Sequence, residues 1–202
     1  MIIVGLCGYA GSGKGIVAEY LVKNKGFIQM SFADSLKDII SLLFGWDRKL
    51  LEGDTSISRE WREKIDPYWS KSLNRPSLTP RTVLQNFGTD VVKNFQDDFW
   101  IRVLERKITD LPKDARVVIS DVRFLNEFAF IKNFGGKNYW VLRELPDFHN
   151  SIIKDINCNG IPNIKVHKSE WEFLMEPDKL VIRNDSDLKT LYAKLDLIFN
   201  MY

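Results

Sequence analysis

The chain has 202 residues, 45% hydrophobic and 28% charged, enough to bury a substantial core as one globular domain with elaborations. Lys and Arg number 29 against 27 Asp and Glu, a balance of +2, so charge gives no reason to expect a nucleic-acid or anionic-membrane partner. Gly at 12 and Pro at 7 are ordinary and exclude a collagenous or broadly disordered chain.

Two cysteines, Cys7 in an expected buried strand and Cys158 in a polar loop, make neither a disulfide framework nor a metal pattern. They are expected to be plain thiols in a reducing compartment. The N-terminus begins directly with a strand rather than a charged leader, and no apolar stretch reaches the roughly 18 residues that span a bilayer. A cytoplasmic protein without a membrane partner is expected.

In chain order, the apolar run Ile2 to Cys7 reads as a strand, the stretch Gly8-Tyr9-Ala10-Gly11-Ser12-Gly13-Lys14-Gly15 as a tight loop, and Ile16 to Lys25 as a helix. That context is the one a phosphate-binding loop requires. Glycines let the backbone wrap an anion, its N–H groups point inward, and the new helix presents its positive end. Lys14 would reach the outer phosphates of a nucleoside triphosphate. The position after Lys14 is Gly15, followed by Ile16, so the Ser or Thr hydroxyl that usually touches magnesium is missing.

Phe27 to Phe32 is a second apolar run, and Ala33-Asp34-Ser35 caps a helix carrying Leu36, Ile39, Ile40, Leu43 and Phe44. Gly45 to Pro80 mixes Trp46, Trp61, Tyr68 and Trp69 with charges and with Pro67, Pro76 and Pro80 as breakers, and predicts an irregular, partly helical insertion. Helical pattern resumes at Pro80, with Arg81 and Gln85 one turn apart, and again from about Asp98 through Trp100 to Ile108.

Val117-Val118-Ile119 is a buried strand leading to Asp121 and Arg123; a helix from about Asn126 to Phe134 and a strand Tyr139 to Leu142, finishing at Arg143, follow. Glu144 to Lys165 shows no firm periodicity and reads as a mobile loop or lid. A short helix after His167-Lys168-Ser169-Glu170, a last strand Lys179 to Ile182 and a capped final helix complete the chain. Alternating strands and helices predict a parallel sheet covered on both faces, with ligands at the strands' carboxyl ends, where Gly8, Asp34, Asp121 and Arg143 lie.

A phosphate loop beside an arginine-bearing insertion points to phosphoryl transfer, which is mostly positioning and charge neutralisation. Arg81, Arg123 and Arg143 could clamp phosphates or be ordinary surface cations. Asp121 stands where a carboxylate would hold magnesium, directly or through water, its alternative being a helix cap. Asp34 has the same two readings, and the Gln85 amide could read a base edge or be plain surface. The two histidines lack paired spacing for zinc, and no nucleophile motif suggests a hydrolase.

Ala33-Asp34-Ser35-Leu36-Lys37, then Leu84-Gln85-Asn86-Phe87-Gly88-Thr89-Asp90 with Trp100, then Asp121-Val122-Arg123-Phe124-Leu125-Asn126-Glu127, resemble the bacteriophage deoxynucleoside monophosphate kinase family. His167-x-Ser169-Glu170 and the stretch Asp178 to Asn184 also resemble it, so the likeness spans nearly the whole chain. The resemblance implies an α/β P-loop NTPase three-layer fold with a central five-stranded parallel sheet, a helical acceptor-binding insertion and a lid. It implies a single kinase domain with a core of about 1–33, 111–143 and 171–202, an insertion of about 34–110 and a lid of about 144–170. It further implies transfer of the ATP γ-phosphate to a deoxynucleoside monophosphate with Mg2+.

By matching residues, Gly8, Tyr9, Ala10, Gly11, Ser12, Gly13, Lys14, Gly15 and Ile16 would hold ATP, with Asn184 and its neighbours beside the adenine. Asp34, Lys37, Arg81, Gln85, Trp100, Asp121 and Arg123 would surround the acceptor, while Lys14, Arg123 and Arg143 act on the moving phosphate. Lys93 stands where members often place arginine. Expected partners are small-molecule nucleotides. A homodimer is one reading of Trp61, Tyr68 and Trp69, and packing inside the insertion is the other. The rival functions are another small-molecule P-loop kinase, such as one acting on dephospho-coenzyme A, and a non-catalytic ATP-binding module.

Overall fold

The computed structural model describes residues 1–88, 96–160, 162 and 166–200. Lys93, with Thr89 and Asp90 of the motif after Gln85, lies outside the described residues, as do 161 and 163–165 of the expected lid. The chain divides into two compact units, one of Met1–Ser31 with Lys107–Tyr202 and one of Phe32–Arg106.

The first unit is built on β1 (Ile2–Cys7), β2 (Ile28–Met30), β3 (Arg116–Ile119), β4 (Lys137–Leu142) and β5 (Leu180–Arg183). Among the described residues they form one five-stranded sheet in the order β2-β3-β1-β4-β5, with every neighbouring pair parallel. Because side chains alternate faces along a strand, Val4 and Leu6 share one face with Val118, Tyr139, Val141 and Ile182. Against that face lie Val17, Ala18 and Leu21 of α1 (Lys14–Lys25) and Leu191, Leu195 and Phe199 of the C-terminal helix Leu188–Phe199. Gly5 points to the other face, toward Ile131 of the helix Leu125–Asn133. Helices on both faces of a parallel sheet make the three-layer α/β fold. Each fully buried Val or Leu in these layers contributes ~1.5–3 kcal/mol.

All five strands run the same way, so their carboxyl ends share one edge. Gly8 follows β1, Ser31 follows β2, Arg143 follows β4, Asn184 follows β5, and Asp121 lies two residues past β3.

The second unit is helical: α2 (Asp34–Phe44), α3 (Ser56–Glu63), α4 (Pro67–Ser72), α5 (Pro80–Asn86) and α6 (Phe99–Thr109), the last running just past its boundary. Pro67 and Pro80 do not break helices here. Each occupies a first helical turn, where its missing N–H has no partner to lose, behind an N-cap whose side chain accepts a backbone N–H: Asp66 from Trp69 and Thr79 from Thr82. The aromatic residues close the unit's core, with Phe44 and Trp46 stacked at 4.5 Å and Trp61 edge-on to Trp46 at 5.8 Å. The Trp69 indole donates to the Phe44 carbonyl at 3.0 Å, while Tyr68 stays exposed beside it. Packing within the insertion therefore accounts for Trp61 and Trp69.

Among the described residues the remaining elements are α7 (Leu125–Asn133), α8 (His149–Asn159) and α9 (Leu188–Phe199), with two short 3-10 helices, Lys168–Glu170 and Glu172–Met175. Helix α8 corrects the expectation of an aperiodic loop over Glu144 to Lys165, and it places Cys158 on a helix, exposed, rather than in a loop. Cys7 is buried and its thiol is pushed up to about 12, chiefly by burial, which leaves it inert. Among the described residues no helix is long and apolar enough to cross a membrane.

Candidate active site

The loop Gly8–Gly13 turns because its glycines take conformations that side chains resist, with φ of +139° at Gly8, +79° at Gly11 and +97° at Gly13. At Gly13 a Cβ would also lie 2.2 Å from the Asn184 side-chain nitrogen. That nitrogen donates to the Ser12 carbonyl at 2.9 Å, and the Asn184 backbone N–H donates to Leu142 O at 2.7 Å. The residue expected beside the adenine thus braces the phosphate loop from the end of β5. Gly13 is the N-cap of α1, so the helix begins at Lys14, two residues earlier than its apolar pattern indicates. Ile16 packs against the sheet core. The Ser12 hydroxyl is buried and has no hydrogen-bond partner among the described residues.

Lys14 Nζ donates to the carbonyls of Gly8 at 2.7 Å and Tyr9 at 2.9 Å, folding back over the loop it would serve. Burial, and then the nearby Arg123 guanidinium, lower its pKa to about 8. The Tyr9 hydroxyl bonds His149 Nδ1 at 2.7 Å, and its ring meets those of Phe148, His149 and Phe173 edge-on. The loop and the start of α8 are joined by this contact.

Asp121 does not cap α7, whose N-cap is Phe124. Its carboxylate accepts a hydrogen bond from Ser31 Oγ at 2.6 Å, pairing the ends of β3 and β2. Two residues on, the Arg123 guanidinium reaches Ser169 Oγ at 3.4 Å and Glu170 at 3.5 Å. The turn between them is fixed by Glu127, one of whose oxygens accepts the backbone N–H groups of Arg123 at 2.7 Å and Phe124 at 3.0 Å. Burial first, and then the Asp121 charge, push the Glu127 carboxyl up to about 8. Arg143 is exposed just past β4.

Together these groups make a glycine loop at a helix N-terminus, the cations Lys14 and Arg123 and one strand-end carboxylate, an arrangement able to hold an anion. Gly15 has open space where a side chain would be and brings no hydroxyl. Among the described residues no three His, Cys, Asp or Glu converge as a metal cage. The oxygens of Asp121 and Ser31 suit a small hard cation that keeps its waters and takes the rest of its ligands from phosphates.

The other expected residues lie on the second unit. Asp34 is the first residue of α2 and makes no cap; it faces Arg48 at 3.4 Å and Lys37 at 3.9 Å. Lys37 also pairs with Glu52 at 2.6 Å. Arg81 pairs with Glu63 at 2.8 Å, Gln85 sits partly buried in the same helix α5, and the Trp100 indole donates to the Gly88 carbonyl at 3.1 Å. Within the first unit the phosphate loop, Asn184, Asp121 and Arg123 come together; Asp34 and Lys37 share one ion cluster in the second.

Ser31, Glu127, His149 and Glu172 were not indicated as site residues by the sequence. Glu127 lies inside the quoted Asp121 to Glu127 motif and accepts the Phe124 N–H three residues back, but Phe124 has no side-chain oxygen to complete a capping box, so no local signal marked it.

A family model described as deoxynucleotide monophosphate kinase matches residues 52–195. A protein of Acanthamoeba polyphaga mimivirus whose name carries the same description is 32% identical over 207 residues, spanning 96% of this chain and 94% of the relative. Solved structures with similar outlines include dephospho-CoA kinase from Campylobacter jejuni, at 15% identity and TM-score 0.48, covering 99% of this chain and 96% of that one. A Thermus thermophilus protein is 16% identical with TM-score 0.47, covering 99% and 97%.

Proposed function

The chain belongs to the deoxynucleotide monophosphate kinase family of phosphotransferases, and on that premise we propose that it moves the γ-phosphate of ATP onto a deoxynucleoside monophosphate, for DNA precursor synthesis. The observation that carries this is the glycine loop with Lys14 inside it, set beside Asp121 and Arg123 at the carboxyl edge of a parallel sheet.

The backbone N–H groups of Gly8 to Gly15 hold the ATP phosphates at the positive end of α1. Lys14 exchanges its two carbonyl partners for phosphate oxygens, gaining charge-assisted bonds. Asn184 keeps the loop in shape and its neighbours lie beside the base. Asp34, Lys37, Arg81, Gln85 and Trp100 bind the acceptor, with Gln85 reading the base and Arg123 taking a phosphate. Arg143 approaches the group in transit. Magnesium, held by Asp121 directly or through water, would neutralise phosphate charge.

The acceptor phosphate oxygen is already a nucleophile, so no protein base is required. It forms the new P–O bond as the bond to the β-phosphate bridging oxygen breaks, and ADP departs with that electron pair. Catalysis is alignment and neutralisation. The segment of about 144–170 serves as the lid and excludes water. The virus-encoded relative supports a viral origin, and the same reading puts the protein in a bacteriophage and its host cytoplasm.

Lys14→Ala tests the assignment. The variant is expected to keep its far-ultraviolet circular dichroism and lose roughly 10²–10³-fold in phosphoryl transfer, because a preorganised charge at the moving group is gone. Near-normal turnover in the folded variant would contradict it.

A further inference from the structure

Resting on the phosphoryl-transfer function above, we propose that Glu170 and Ser169 are positioning residues that anchor Arg123 by a single guanidinium nitrogen and so present its remaining N–H edge to a phosphate group. Arg123 Nη1 donates to Ser169 Oγ at 3.4 Å and lies 3.5 Å from Glu170 Oε1. Both partners address the same nitrogen. The Nε–H and Nη2–H groups form the other edge of the planar fork, the one whose two parallel donors match a phosphate bidentately. Among the described residues nothing occupies that edge, and the side chain is 46% exposed. Arg123 is tied on one side and open on the other.

The anchor is itself held. Ser169 N–H donates to His167 Nδ1 at 3.3 Å, so that nitrogen is an acceptor and takes the Ser169 hydroxyl proton as well at 2.8 Å. The Ser169 oxygen is thereby left to accept from Arg123. Behind it, the buried Glu172 carboxylate accepts the Leu125 N–H at 3.3 Å, while Glu127 accepts the N–H groups of Arg123 and Phe124. The segment carrying Ser169 and Glu170 and the turn carrying Arg123 are thus joined through the backbone, which fixes the distance between guanidinium and carboxylate. Arg123 and Glu170 both act on the Lys14 ammonium, in opposite directions, so the pair lies within electrostatic reach of the glycine loop.

An exposed pair of this length contributes little to stability. Its effect is orientation, and orientation is measurable. Steady-state kinetics with ATP and a deoxynucleoside monophosphate are compared for the unsubstituted chain, Glu170→Gln, Arg123→Ala and the double variant, alongside thermal midpoints. Glu170→Gln is expected to lower kcat/KM for the acceptor by about tenfold, raising acceptor KM more than ATP KM. In the Arg123→Ala background the same change is expected to have no further effect. Ser169→Ala, which removes the other contact, should show the same dependence on Arg123 and serves if Glu170→Gln does not fold. An equal loss in both backgrounds, an equal rise in both KM values, or no loss at all overturns the inference. An active unsubstituted chain without coupling defeats this inference alone, whereas an inactive one defeats the kinase function and this inference with it.

Discussion

Lys14 carries the tension between burial and charge most plainly. Its ammonium sits over the loop on two carbonyls, where burial and the Arg123 guanidinium both disfavour the charged form and bring the pKa from 10.5 to about 8. The charged form is the one that can stabilise a moving phosphate. In the free enzyme it is fully present well below pH 8 and is lost as pH rises through 8. kcat/KM for ATP should therefore fall with a midpoint near pH 8, while kcat at saturating ATP holds to higher pH, because bound phosphates restore the proton. A pH profile of both constants checks this, and a kcat/KM that stays flat to pH 9.5 would contradict it. Lys14, Asp121 and Arg123 were legible because each follows a strand within a short local pattern. The Ser31 hydroxyl on Asp121 and the Glu172 carboxylate on Leu125 were not, since their partners lie 90 and 47 residues away and only the fold brings them together.

Asn138 of β4 and Ile131 of α7 together approach β1 closely enough to exclude a methyl group at Gly5. A Cβ on Gly5 would lie 2.3 Å from Asn138 Oδ1 and 2.5 Å from Ile131 Cδ1, both within the packed layer. Gly5→Ala should cost about 1–3 kcal/mol, read as a lower denaturant midpoint with unchanged slope, because the core has no room to yield. An unchanged midpoint would show that the Asn138 and Ile131 side chains move aside freely. The strands were legible from β-branched runs ending in glycine or polar residues, as in Ile2 to Cys7. Helix α8 was not, because Ile152, Ile153 and Ile156 are too few apolar residues to set a period, and what seats it includes the contact of Tyr9 with His149. Pro67 misled: a proline stops a helix from within but starts one well, as at Pro80, where the helical pattern was read to resume, and the caps Asp66 and Thr79 mark both starts.

In the whole molecule, a parallel-sheet unit carries the glycine loop and a helical unit carries the residues proposed to bind the acceptor. The sheet places five strand ends on one edge, so residues as distant in sequence as Gly8, Asp121 and Asn184 come to the same edge. Family membership fixes the class of reaction. In the proposed function Gln85 reads the base, and its partly buried amide is compatible with several base edges. The most direct measurement is ADP formation from ATP and magnesium with each of the four deoxynucleoside monophosphates, their ribose counterparts and coenzyme A precursors. ADP formed in proportion to one or more deoxynucleoside monophosphates, with the matching diphosphate as product, is the predicted result. ATP that binds but is not turned over with any of them, or is turned over only with a coenzyme A precursor, would contradict it.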